Sequence, residues 1–145
     1  MSVCHLRVKA DAGETSGVID YVNDILSGFG CSDEVRKKLS IAVDEVFSNI
    51  VKYAYQGSQR DVEIYVETGI AADADVPEGK KCFSVIFRDR GEPYNPLEER
   101  DPDITLDIDG RTPGGLGIFL VKKLMDSVEY TYENEMNVLR IMIFG

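Results

Sequence analysis

"AVDEVFSNIVKYAY", residues 42–55, decides how the chain is read. On a wheel turning about 100° per residue, Leu39, Ala42, Val43, Val46, Phe47, Ile50, Tyr53 and Ala54 fall on one continuous arc. That arc predicts an amphipathic helix with those residues facing a core. Glu45 and Asn49 are four apart, so their side chains lie one above the other on the same face. Both sit at the edge of the arc, beside Ala42, and Lys52 falls on the same strip. A carboxylate, an amide and an amine thus form a polar stripe along the border of a core. It is either a solvated face with ordinary i, i+4 contacts or the wall of a site.

Outward from this helix the chain reads in simple units. "CSDEVRKKL" opens it, with Ser32 as N-cap and Asp33 and Glu34 in the first turn, where the helix dipole favours acids. The helix is predicted to run to about Tyr55, with Gly57 just beyond. Upstream, Val18, Tyr21, Val22, Ile25, Leu26 and Phe29 recur at helical spacing between Glu14 and Phe29, and Gly30 is the stop. "CHLRVKA", from Cys4 to Ala10, alternates as a strand does. Downstream, "RDVEIYVETGI" (60–70) and "KKCFSVIFRDRG" (80–91) read as strands joined by a polar turn. "GGLGIFLVKKLMDSV" (114–128) is a glycine turn opening a helix, and "VEYTYE" and "NVLRIMIF" are strands of a hairpin around Asn134. Sequential strands without helices between them favour an antiparallel or mixed sheet with helices segregated to one face, an α+β fold. Glu92 to Pro113 is rich in Asp, Glu and Pro and is without clear periodicity. Long irregular segments inside a compact domain commonly serve as lids or binding loops.

Composition narrows the function. With 145 residues, 43% apolar and 29% charged, residues 1–145 read as one globular domain. A formal net charge of -10 argues against a nucleic-acid backbone or an anionic membrane as the main partner. A small anion stays possible, because backbone dipoles bind phosphate locally. Cys4, Cys31 and Cys82 are odd in number and lack C-x-x-C spacing, which suits free thiols in a reducing compartment. His5 is the only histidine, so no histidine cluster is available for a metal or a triad. No apolar run approaches the ~20 residues of a membrane span, and the N-terminus lacks a signal-peptide pattern. A cytoplasmic protein is expected.

Two further stretches give the polar stripe a purpose. "RDRGEP" offers Asp89 and Gly91 at the end of a strand. "GGLGIFLV" offers Gly114, Gly115 and Gly117 at a helix start, where unobstructed backbone N–H groups form a natural phosphate seat. A Glu-x-x-x-Asn helix, an Asp-x-Gly strand end and a glycine-opened helix, in this order, resemble the ATPase domain shared by DNA gyrase, heat-shock chaperones, histidine kinases and mismatch-repair proteins, the GHKL or Bergerat fold. Within that superfamily the chain is similar to the anti-sigma-factor serine kinases of bacterial partner-switching systems. "DEVFSNIVKYAY" stands at the N box, "RDRGEPYNP" at the first glycine box and "GGLGIFLVKKLMDSVEY" at the second. The likeness covers nearly the whole chain. It implies a two-layer α/β sandwich, with about three helices on one face of a mixed, mostly antiparallel sheet.

The resemblance also implies ATP and Mg²⁺ as cofactors. Asn49 would offer its amide oxygen to Mg²⁺, a hard ligand for a hard cation, and Glu45 would be the general base. Asp89 would accept a hydrogen bond from the adenine 6-amino group, and Gly91 would let the base approach the backbone. Gly114, Gly115, Leu116 and Gly117 would surround the phosphates, and Lys52 stands where many histidine kinases carry a phosphate-contacting lysine. Residues 92–114 would be the ATP lid, with Arg111 reaching the γ-phosphate and Arg100 as the second candidate. Expected partners are a STAS-type anti-anti-sigma protein, a sigma factor and a second copy in a homodimer, with no direct nucleic-acid or membrane contact. Three features depart from the family pattern. Pro93 replaces a glycine and stiffens the start of the lid. Tyr53, on the core-facing arc, replaces a frequent histidine. The lid is acidic, with Glu98, Glu99, Asp101, Asp103, Asp107 and Asp109. Two functions therefore stay open: an ATP-dependent protein serine/threonine kinase, and a nucleotide-binding docking module with little phosphotransfer.

Overall fold

The computed structural model describes residues 2–55, 60–70, 80–98 and 115–145. Its elements are β1 (Ser2–Lys9), α1 (Thr15–Gly28), α2 (Asp33–Asn49), β2 (Asp61–Ile70), β3 (Lys81–Asp89), α3 (Gly115–Leu124), β4 (Ser127–Glu133) and β5 (Met136–Phe144). The strands form one sheet in the order β1-β2-β3-β5-β4, and every neighbouring pair is antiparallel. This is the α+β, two-layer arrangement expected from the strand and helix order.

Strand parity builds the core. Val62, Ile64 and Val66 of β2, Phe83, Val85 and Phe87 of β3, and Leu139, Ile141 and Ile143 of β5 are buried. They form one cluster with Val18, Val22 and Leu26 of α1, Leu39, Val43, Val46 and Phe47 of α2, and Val121 of α3. Each fully buried side chain of this kind stabilises the fold by about 1.5–3 kcal/mol. The same parity carries two polar residues inward: Asp89 is 4% exposed and Asn137 is 5% exposed. The antiparallel register sets them directly opposite each other.

Local chemistry sets the boundaries. Ser32 caps α2, its Oγ accepting from the Val35 N–H at 3.3 Å. Gly30 ends α1 at φ +79°, a conformation that favours glycine. Asn134 and Glu135, at φ 53° and 62°, make the two-residue turn between β4 and β5. Tyr21 and Phe29 pack against the core. The three cysteines are unpaired, with Cys31 buried and Cys4 and Cys82 half-buried. Among the described residues, no helix is long and apolar enough to cross a membrane.

One expectation needs correction. After Asn49 the helix widens into a π-helical turn, Ile50–Ala54. The wider turn rotates less per residue, so the wheel that holds through Ile50, buried as expected, fails at Tyr53. Tyr53, expected on the core-facing arc, is 37% exposed and stacks on Tyr94, with ring centroids 5.1 Å apart. Tyr55 is buried in its stead, at 6% exposure. Its hydroxyl donates to the Asp61 carbonyl and accepts from the Arg90 N–H, both at 2.7 Å. The side chain of Ala54 lies outside the described residues.

Candidate functional site

α2 carries Glu45 and Asn49, both half-buried, on the side it turns toward α3 and the end of β3. Glu45 lies against Gly117 of α3. A methyl group built on Gly117 would overlap Glu45 Oε2 and stand 3.0 Å from the carboxyl carbon. Only glycine leaves room for the acid here, so this glycine is explained by close approach. Among the described residues neither Glu45 nor Asn49 has a hydrogen bond or ion pair. Two polar side chains at the edge of a core are thus left uncommitted.

Asn49 lines a cavity with Asp89 and Asn137, over walls that include Val46, Phe87 and Leu139. The space, counting the part open to solvent, is about 370 Å³. Apolar walls with a few convergent polar groups are the usual make-up of a small-ligand site. Tyr94 and Pro96, from the chain following β3, close one side, and Tyr130 of β4 contributes another.

Asp89 is the polar centre of this cavity. Its Oδ1 accepts from the Gly91 N–H and from Asn137 Nδ2, each at 2.9 Å. Among the described residues its Oδ2 has no partner. Burial pushes the carboxyl above the ordinary aspartate range, and the bonds from Asn137 and the Gly91 N–H oppose that rise. Asn137 in turn spends every polar atom. Its Oδ1 accepts from the Tyr94 N–H at 3.1 Å and from the Tyr130 hydroxyl. Its Nδ2 also faces the carbonyls of Glu92 at 2.9 Å and Gly91 at 3.5 Å.

Set against the sequence, the structure brings Glu45 to Gly117, and Asn49 to Asp89. Gly91 is half-buried and anchors Asp89 through its N–H. Gly115 starts α3, and the side chain of Leu116 is not described. Lys52 is exposed on the widened turn and does not line the cavity. Arg111, Gly114 and the second lid arginine, Arg100, lie outside the described residues, as do residues 99–114 of the expected lid. Sequence reasoning missed Asn137, Tyr130 and Tyr55. For Asn137 a signal existed: it occupies the inward parity of Leu139, Ile141 and Ile143.

Comparison with known proteins agrees with this architecture. A family model described as a histidine kinase-like ATPase domain matches residues 8–143. The serine-protein kinase RsbW of Listeria monocytogenes serovar 1/2a is 34% identical over 123 residues, covering 81% of this chain and 72% of that protein. The RsbW of Bacillus licheniformis is 26% identical over 142 residues, covering 92% and 82%. A crystal structure of the RsbU and RsbW domains of a Mycobacterium tuberculosis protein superposes with a TM-score of 0.62 at 14% identity, which speaks to the fold alone. It covers 99% of this chain, which spans 32% of that longer one. The chain belongs to the histidine kinase-like ATPase family and, within it, to the group of the RsbW serine-protein kinases.

Proposed function

We propose that this protein is an ATP-dependent protein serine/threonine kinase acting as an anti-sigma regulatory factor in a bacterial partner-switching system. Its substrate is a small STAS-type anti-anti-sigma protein, its second partner a sigma factor, and it works in the cytoplasm as a homodimer. The observation that carries the reading is one helix face. Glu45 stands uncommitted against Gly117, and Asn49, one turn on, lines the cavity that holds Asp89.

The residues present fit the implied cofactors. Asp89 Oδ2, without a partner among the described residues, is an acceptor in an apolar-walled cavity, complementary to the 6-amino group of adenine; guanine carries a carbonyl there. Asn49 offers an uncommitted amide oxygen, suited to Mg²⁺. When bound, Mg²⁺ supplies neutralisation of the phosphate charge. The chain's own residues do the rest. Asp89 would orient the base, and Asn49 would hold the ion. Glu45 takes the proton of the incoming serine hydroxyl, and Gly117 keeps the space in which its carboxylate stands. The backbone N–H groups at the start of α3, Gly115 through Gly117, would receive the phosphates, with Gly114, outside the described residues, assigned to the same role. Lys52 and Arg111 are further phosphate contacts in this reading, and residues 92–114 form the lid.

Incubation with γ-labelled ATP, Mg²⁺ and a STAS-domain partner tests it. Wild-type protein is expected to transfer label to a serine or threonine of the partner. Glu45→Gln should lose about 10²–10⁴-fold in rate, the usual worth of a general base, with ATP affinity retained. Equal transfer by the variant would overturn the assignment of Glu45. ATP binding without transfer by the wild type would favour the docking module instead.

A further inference from the structure

Asn137 joins two parts of the molecule that the nucleotide reading treats separately. One is the base-reading carboxylate of Asp89, opposite it across β3 and β5. The other is the backbone from Gly91 to Tyr94, by which the chain leaves the sheet after β3. The orientation of the Asn137 amide is forced. The Tyr94 N–H can only donate, so the atom facing it at 3.1 Å must be Oδ1. Nδ2 then faces three acceptors: Asp89 Oδ1, the Glu92 carbonyl and the Gly91 carbonyl. A buried amide with all its polar atoms engaged holds its neighbours in one arrangement, because any shift leaves a group unsatisfied.

We propose that Asn137 is a positioning residue that couples occupancy of the Asp89 site to the order of the Gly91–Tyr94 backbone. The proposal rests on the adenine reading of the cavity. An amino group on Asp89 Oδ2 fixes the plane of the carboxylate. Its Oδ1 then fixes Asn137, and Asn137 fixes the Tyr94 amide and the Glu92 carbonyl. Linkage makes this reciprocal: whatever orders residues 91–94 also strengthens binding at Asp89. The nucleotide base and the start of the following segment are thereby read by one side chain.

The test combines amide hydrogen exchange with equilibrium binding of ADP and GDP, using the full chain, Asn137→Leu and Tyr130→Phe. Leucine keeps the branched outline, with somewhat greater volume, and removes both polar functions. Tyr130→Phe removes one donor to Oδ1 at a half-buried position and guards against a leucine variant that fails to fold. In the wild type the Tyr94 amide should exchange slowly, and more slowly still with ADP. In Asn137→Leu it should exchange at least about tenfold faster, from the loss of its acceptor, and respond no further to ADP. Amides in the middle of β3 should keep their protection. The preference for ADP over GDP should fall by about tenfold, since Asp89 loses a charge-assisted bond that orients it. Tyr130→Phe should move all three readouts in the same direction by less. A merely structural role would weaken ADP and GDP equally, so an unchanged preference overturns the proposal. So does a Tyr94 amide that exchanges and responds to ADP in both variants as in the wild type. A wild type that binds neither nucleotide overturns the adenine reading, and the coupling with it; ADP binding with uncoupled Tyr94 overturns the coupling alone.

Discussion

Burial raises the proton affinity of Asp89, while hydrogen bonds from Asn137 and the Gly91 N–H act against that rise. Its folded pKa therefore lies above the unfolded value. In the window between the two, the native state binds more protons, so stability falls as pH rises through it. The penalty is complete above the folded pKa. Asp89→Asn keeps an oxygen for Asn137 and for the Gly91 N–H while removing the charge. Near neutral pH the variant should be more stable than the wild type by roughly 0.5–2 kcal/mol. The difference should narrow on acidification, as wild-type Asp89 takes up its proton. Thermal melts across pH check this. ATP binding should be lost in the same variant, because an N–H donor now faces the 6-amino group. In the wild type, ATP affinity should decline as pH falls through the raised pKa of Asp89.

The contact between α2 and α3 makes Gly117 a test at the level of elements. Alanine is favoured over glycine in a helix by about 0.8–1 kcal/mol, yet its methyl group would occupy the space of Glu45 Oε2. The end of a flexible side chain can swing aside, so Gly117→Ala should fold with equal or greater stability in urea titration. Phosphotransfer should drop about 10²-fold or more, as for loss of a base. The widened turn after α2 offers a second test. Tyr55→Phe strips the Arg90 N–H of its acceptor and the Asp61 carbonyl of a donor. It should destabilise the protein by about 1–3 kcal/mol and loosen the strand end that carries Asp89; chemical denaturation and nucleotide titration would register both. This turn also marks where the sequence stops being legible. Apolar spacing identifies α2 correctly through Asn49, because residues 39–49 keep the 3.6-residue period. Nothing in "IVKYAY" distinguishes that period from a π turn, so Tyr53 is wrongly placed on the core-facing arc and the burial of Tyr55 goes unseen. Asn137 escapes for another reason. Alternation is read from apolar residues, so a polar residue at their inward parity, as Asn137 is to Leu139, Ile141 and Ile143, is passed over although the spacing marks it.

At the scale of the whole molecule, order and parity of elements suffice for a two-layer α+β fold, and three short motifs suffice for the family. What they do not yield is the segment after Glu98. Between Glu98 and Pro113 only Ile104, Leu106 and Ile108 are aliphatic, too short a run to assign an element among so many acids, and Arg111 is singled out by its place before the glycine turn. Net charge works at this scale too. At -10, the protein should show no retention on duplex DNA and no co-sedimentation with anionic vesicles at physiological salt, since both present like charge. A crystal structure with Mg²⁺ and a non-hydrolysable ATP analogue would decide whether one nucleotide occupies this one place. The adenine amino group is expected on Asp89, the ion on the Asn49 amide oxygen, and the phosphates at the start of α3 beside Glu45. Nucleotide bound elsewhere, with Asp89 and Asn49 untouched, would contradict that placement.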